Sequence, residues 1–176
     1  MNDHLHGIDK FVQQVRADFT ATDPEYSQLQ TMGQALKSIC MAKGFATGLF
    51  RQADPGEELM YPLSVDPNGG PSVYLVSDGI GVDTPPHDHH TWAVIVGLRG
   101  TEYHLFYRRL DNTSHTVINT AECAVATGDI LVMEKSEIHA IDAGRGQHPT
   151  WHVHLYGRAQ SKLPDFASRC YEVSGS

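Results

Sequence analysis

The stretch Gly81-Val82-Asp83-Thr84-Pro85-Pro86-His87-Asp88-His89-His90-Thr91-Trp92, running on into 93–100, decides the fold. On a β-strand, residues two apart project to the same face, so His87 and His89 can bring both imidazoles to one point inside a barrel, while Asp88 points away. Downstream, Gly128-Asp129 opens a strand predicted to run through Glu134-Lys135-Ser136-Glu137-Ile138 to His139, which supplies a third histidine from another part of the sheet. Neutral imidazoles that leave coordination positions open suit a transition metal with affinity for nitrogen: iron(II), nickel, cobalt, copper or zinc. Histidine is the commonest metal ligand, and the chain has 11 in 176 residues.

Around these segments, short β-branched and aromatic runs separated by Gly, Pro, Asn and Asp predict strands at 73–77, 92–98, 102–109, 115–119, 124–126, 130–134 and 151–157. Many short strands with turn signals imply a sandwich or barrel. Asp66-Pro67-Asn68-Gly69-Gly70-Pro71 reads as a turn and not a domain boundary. The first sixty residues follow a different period. Asp3 can cap a helix whose apolar positions are Leu5, Ile8, Phe11, Val12, Val15 and Phe19. Asp23-Pro24-Glu25 starts a second helix carrying Leu29, Met32, Leu36, Ile39 and Cys40, with Gly44 at its end. The expected organisation is a single domain over 1–176: a helical segment, 1–58, packed on a barrel with its C-terminal tail, 59–176.

Hydrophobic residues make up 40% of the chain and charged residues 19%, with no apolar run long enough to span a bilayer. Met1-Asn2-Asp3-His4-Leu5-His6 lacks the basic start and apolar stretch of a signal peptide, so the expected location is cytoplasmic. Cys40, Cys123 and Cys170 are an odd number without short spacing, which indicates neither a disulfide framework nor a cysteine zinc site. A net charge of −8 opposes binding to nucleic acid. The partners this leaves are small molecules.

The two histidine segments resemble the paired motifs of the cupin superfamily. The first family motif runs glycine, five residues, His-x-His, three or four residues, glutamate, six residues, glycine, and here Gly81, His87, His89, Ala93 and Gly100 stand at those places. The glutamate is absent, as is common in cupins with a three-histidine site. In the second motif Gly128 and His139 match, while Glu134 and Ser136 replace a proline and a glycine. The resemblance implies a cupin double-stranded β-helix (jelly-roll) barrel preceded by two N-terminal α-helices. It implies a metal on His87, His89 and His139, with iron(II) preferred and nickel, cobalt, copper or zinc as alternatives.

Within the cupins, the chain looks similar to the thiol dioxygenases of the cysteine dioxygenase and 3-mercaptopropionate dioxygenase type. That group carries a Ser-x-His-x-Tyr relay after the third ligand, and here His152-x-His154-x-Tyr156 stands at that distance. His87-Asp88-His89, Trp92-Ala93 and Leu98-Arg99-Gly100 also match the group's pattern. The implied activity is iron(II)- and O2-dependent oxidation of a small thiol-containing acid to a sulfinic acid, with Tyr156, His154 and His152 as catalytic residues. Ala93 stands where the animal enzymes have a cysteine crosslinked to the relay tyrosine. Tyr61 falls near the place of the arginine or glutamine that receives the substrate carboxylate, and Arg158 is a candidate replacement. His90, His104, His115 and His148 are expected at the surface or behind the ligands. Two other functions fit the same metal: Lewis-acid catalysis in an isomerase or lyase, and non-catalytic binding of a small ligand or metal.

Overall fold

Helices α1 (Asp3–Asp18) and α2 (Tyr26–Cys40) lay their apolar stripes on the outer face of a β-sheet. The computed structural model describes residues 3–19, 23–43, 45–112 and 114–175. Ile8, Val12 and Val15 of α1 and Leu29, Met32, Leu36 and Cys40 of α2 are buried, in line with the period read from the sequence. Pro24 precedes the second helix by two residues, and the Glu25 backbone N–H donates to Gln28 Oε1 at 2.8 Å, which satisfies one of the free groups of the first turn. Gly44 lies outside the described residues, as does the Asp3 side chain; α2 ends at Cys40.

Ten strands follow among the described residues: β1 (Glu58–Ser64), β2 (Ser72–Asp78), β3 (His87–Asp88), β4 (Ala93–Arg99), β5 (Thr101–Arg109), β6 (Thr116–Ala126), β7 (Ile130–Met133), β8 (Ile138–Asp142), β9 (Thr150–Tyr156) and β10 (Glu172–Val173). They form two five-stranded sheets of order β1-β2-β9-β4-β7 and β10-β6-β5-β8-β3. The second sheet curls over the inner face of the first, giving the double-stranded β-helix expected from the motifs. No described helix is long and apolar enough to cross a membrane.

Strands β2, β4 and β9 of the first sheet are buried on both faces, but the two faces differ in chemistry. On β9, Trp151, Val153 and Leu155 join the helices in one apolar cluster with Val73, Leu75, Val94 and Val96. The alternate residues, Thr150, His152, His154 and Tyr156, are equally buried and face the space between the sheets. The largest apolar cluster therefore lies outside the barrel, between sheet and helices, and the barrel interior combines a smaller one, Tyr74, Ala93, Ile95, Met133 and Tyr156, with buried polar side chains.

Three strand predictions differ from the structure. The runs 115–119 and 124–126 are one strand, β6, because Asn119, Thr120 and Glu122 lie on an exposed surface where polar side chains do not interrupt pairing with β5; a bulge at Phe106/Tyr107 takes up the register change. The strand expected to run from Gly128 to His139 stops at Met133. A turn closed by Glu137 N–H to Glu134 O at 3.1 Å then sends the chain into the other sheet, so His139 sits on β8. β1 lies outside the predicted strands; it contains Pro62 and is an edge strand, the place in a sheet where a proline is tolerated.

Candidate metal centre

The register of β3 against β8 places His87 directly opposite His139, which joins the two histidine motifs across one strand pair. His89 lies one residue past the end of β3, just before His90 takes a left-handed φ of 51°. The three rings form a near-equilateral triangle, with centroids 5.1 Å (His87–His89), 4.6 Å (His87–His139) and 4.9 Å (His89–His139) apart. His139 Nε2 and His89 Nε2 are separated by 3.3 Å. A metal about 2.0–2.1 Å from each nitrogen at a tetrahedral angle requires a ligand separation of about 3.3–3.4 Å, so this pair fits a shared ion. His87 Nδ1 lies 2.9 Å from Pro85 O; a carbonyl only accepts, so Nδ1 carries the proton and Nε2 keeps its lone pair.

Burial keeps these imidazoles neutral, the state a metal needs. It pushes His87 down to about 4, with His139 and His89 driven well below the ordinary histidine value by burial and then by the proximity of His87. His139 has a second partner. Its Nδ1 is 3.0 Å from His104 Nδ1, with the two rings stacked at 6°, and His104 Nε2 is 2.9 Å from Glu102 Oε2, off the N–H direction. With protons on His139 Nδ1 and His104 Nε2, this chain runs from Glu102 to the ligand and leaves His139 Nε2 facing the centre, the arrangement that orients a metal-bound imidazole.

Tyr156 stands beside the triangle, its ring 5.0 Å from that of His89, and its hydroxyl is 2.8 Å from His154 Nδ1. Burial first, then the nearby Glu58 and Glu102 carboxylates, raise the Tyr156 phenol, while burial lowers His154 to about 3. Both are neutral at physiological pH. Tyr156 pairs across the sheet with Ala93, so the residue opposite the phenol is a methyl group that cannot crosslink to it.

A cavity of about 290 Å³ opens on this group, lined among others by His87, His89, His154, Tyr156, Glu58, Met60, Phe166 and Arg169. Tyr61 does not reach it. On β1, Glu58 and Met60 face the cavity, and Tyr61 lies on the opposite face, packed 4.8 Å from Phe50 and 6.4 Å from Trp151 with its hydroxyl donating to Arg51 O. Arg158 is exposed and lines a separate, larger surface depression with Arg16, Asp66 and Lys162. His152 makes no hydrogen bond to His154; one of its ring nitrogens can donate to the Val125 carbonyl, and it lies deeper, its Nδ1 3.4 Å from Glu102 Oε1. These three placements correct the expectation of a carboxylate receptor at Tyr61 or Arg158 and of a three-membered relay. Alternation on β1 puts 61 on the helix side, and the width of an imidazole at 152 turns it toward Glu102.

The basic residue in the cavity is Arg169, on the turn Phe166–Arg169 that follows the barrel. Its Nη1 donates to Asp88 O at 2.6 Å and its Nε to Pro164 O at 3.1 Å, which fixes the guanidinium. Asp88 itself turns away from the triangle and accepts from Tyr171 at 2.5 Å. His90, His115 and His148 are exposed, whereas His104 is wholly buried. Sequence reading did not find Arg169, Glu58 or Glu102. Glu102 and His104 carried a signal, being two apart on a predicted strand; Arg169 carried none, as its segment has no regular period.

No family model matches the chain, and no curated protein matches it. Among solved structures, it is similar to a cupin 2 conserved barrel domain protein from Leptotrichia buccalis (15% identity, 64% of this chain and 47% of that one, TM-score 0.50). It is also similar to an oxalate oxidase in complex with the substrate analogue glycolate (16%, 70% and 66%, TM-score 0.50). The fold is the cupin double-stranded β-helix. A cupin superfamily protein from Desulfitobacterium hafniense aligns over 65% of this chain and 90% of its own at 15% identity and TM-score 0.49. The chain thus spans about half the length of the Leptotrichia protein. The cupin fold accounts for the convergence of the two motifs, since β3 and β8 are neighbours in the curled sheet.

The neutral interior makes stability depend on pH. An unfolded histidine titrates near 6.5, whereas His87 and His154 hold off protons until about 4 and 3, so between those values the unfolded chain binds more protons and stability falls as pH falls. Each such group contributes a slope of about 1.4 kcal/mol per pH unit in that window. His89, His139 and His152 act in the same direction, and the raised carboxyls of Asp78 and Glu58 act against them. Metal-free protein is expected to show a urea midpoint that drops as pH goes from 7 to 5. A midpoint constant over that range would contradict the neutral assignment.

Proposed function

We propose that this chain is a metal-dependent cupin enzyme that uses iron(II) and O2 to oxidise a small thiol-containing acid to a sulfinic acid. The observation that carries the reading is one small cavity lined by His87 and His89 of the triangle, the Tyr156–His154 pair and a fixed arginine. Iron(II) held by His87, His89 and His139 would supply Lewis acidity and the redox capacity for oxygen to react with a thiolate. The net reaction, thiolate plus O2 giving sulfinate, balances without an external reductant.

The protein's own groups do the positioning. Tyr156 keeps its proton; with His154 Nδ1–H donating to the phenol oxygen, its O–H is free to donate into the cavity. Arg169 has one terminal nitrogen without a protein partner among the described residues and is placed to receive a carboxylate. Met60 and Phe166 supply apolar wall to the cavity.

Arg169→Gln is expected to raise the KM for 3-mercaptopropionate on the order of 10- to 100-fold, from losing a charge-assisted bond of roughly 1.5–3 kcal/mol. Cysteamine, which has no carboxylate, provides the control, and equal losses on both would reduce Arg169 to a structural role.

A second reading is Lewis-acid proton transfer without oxygen. It is favoured by Glu58, whose carboxyl lines the cavity and is raised by burial, as a general base requires. Metal analysis of anaerobically purified protein, combined with oxygen-electrode assays of cysteine, 3-mercaptopropionate, mercaptosuccinate and cysteamine, separates the two. Absence of oxygen uptake by the iron-loaded protein with every thiol would sink the first.

A further inference from the structure

Behind the triangle, Glu102, His152 and His154 bring a carboxylate and two imidazoles together, with their ligand atoms all within 4.8 Å of one another. All are essentially inaccessible to solvent, at 0%, 0% and 3% exposure. Glu102 Oε2 faces His104 Nε2 at 2.9 Å and one His152 nitrogen can donate to the Val125 carbonyl, but Glu102 Oε1, the other His152 nitrogen and His154 Nε2 have no hydrogen-bond partner. Buried polar atoms are normally paired, and three orphans converging in one cluster mark the place of something bound.

We infer that this inner cluster is a second site for a divalent transition metal, held by Glu102, His152 and His154 and distinct from the three-histidine site. His152 Nδ1 and Glu102 Oε1 are 3.4 Å apart, close to the separation of about 3.4 Å for two ligands about 2.0–2.2 Å from one tetrahedral ion. With the His154 Nδ1 proton directed at Tyr156, its Nε2 presents a lone pair; Glu102 Oε1 and one nitrogen of His152 present two more. A divalent cation placed among them satisfies all three lone pairs at once. Two imidazoles and a carboxylate are a donor set suited to iron(II) or zinc.

Glu102 also offsets the ion's charge, and its other oxygen faces His104, which backs His139. The inner ion is thereby linked to the outer site without sharing a ligand with it.

The inference does not depend on the outer site being catalytic, and metal counting tests it without an activity assay. Protein stripped by a chelator is titrated with zinc(II) in equilibrium dialysis with elemental analysis, and with cobalt(II) for its visible spectrum. The expected result is two equivalents per chain in the wild type. His87→Ala should keep the inner one, while His152→Gln should keep only the outer one and Glu102→Gln should lose the inner one and bind the outer one more weakly, through His104 and His139. A wild type that saturates at one equivalent and loses it in His87→Ala would overturn the inner site and leave ordered water as its content. Two equivalents surviving in both Glu102→Gln and His152→Gln would overturn it as well. One equivalent that survives His87→Ala but is lost in Glu102→Gln would instead support the inner site and remove the outer one.

Discussion

Replacing His139 by alanine is expected to cost the outer site its metal, with affinity falling by more than about 100-fold. Even removal of a group that only supports a ligand costs about 10- to 100-fold, and His139 is itself one of the three donors. It is 1% exposed, holds Nε2 3.3 Å from His89, and ties Nδ1 to His104. Alanine removes the donor and releases His104 as well. His139→Gln fills more of the space and should lose the metal equally, which separates ligation from packing. Exposed His115 provides the control, and His115→Ala should retain full metal. Elemental analysis after dialysis decides: equal metal content in wild type and His139→Ala would remove His139 from the ligand set.

The second large effect is expected at Tyr156. Tyr156→Phe keeps the ring that packs against Tyr74, Ala93, Ile95 and Met133 and deletes only the hydroxyl. Folding and metal content should be unchanged. Turnover should fall about 10²- to 10⁴-fold, the usual contribution of a positioned proton donor. The 2.8 Å bond to His154 aims the hydroxyl, and the raised phenol pKa keeps its proton in place. Unchanged turnover at equal metal occupancy would leave Tyr156 as a core residue.

What could be read from the sequence follows from how local each signal is. The helices were legible because their apolar residues recur within each segment, and His87, His89 and His139 because the fold places two short motifs on neighbouring strands. The path to His139 was not, since a four-residue turn at 134–137 between two sheets looks from sequence like the continuation of one strand. Tyr61 was misplaced by a single residue, and on a strand one residue is the difference between the cavity and the opposite face. Arg169 enters the cavity from a non-repeating turn more than eighty residues after the segment it contacts, a pairing that no local pattern encodes. Glu102 has meaning only once β5 is laid against β9, where its carboxyl meets His152.

The separation of faces along β9 bears on how such a protein can change over time. Trp151, Val153 and Leu155 carry the packing against the helices, while Thr150, His152, His154 and Tyr156 look into the barrel and take no part in it. Polar substitutions at the even positions alter which atoms a bound molecule meets, yet they leave intact the contacts between helices and sheet that hold the chain folded. Substitutions at the odd positions do the reverse. Helix-to-sheet packing and chemistry are therefore written on alternate letters of one seven-residue strand, and new reactivity can be explored on one set while the other set's contacts stay in place.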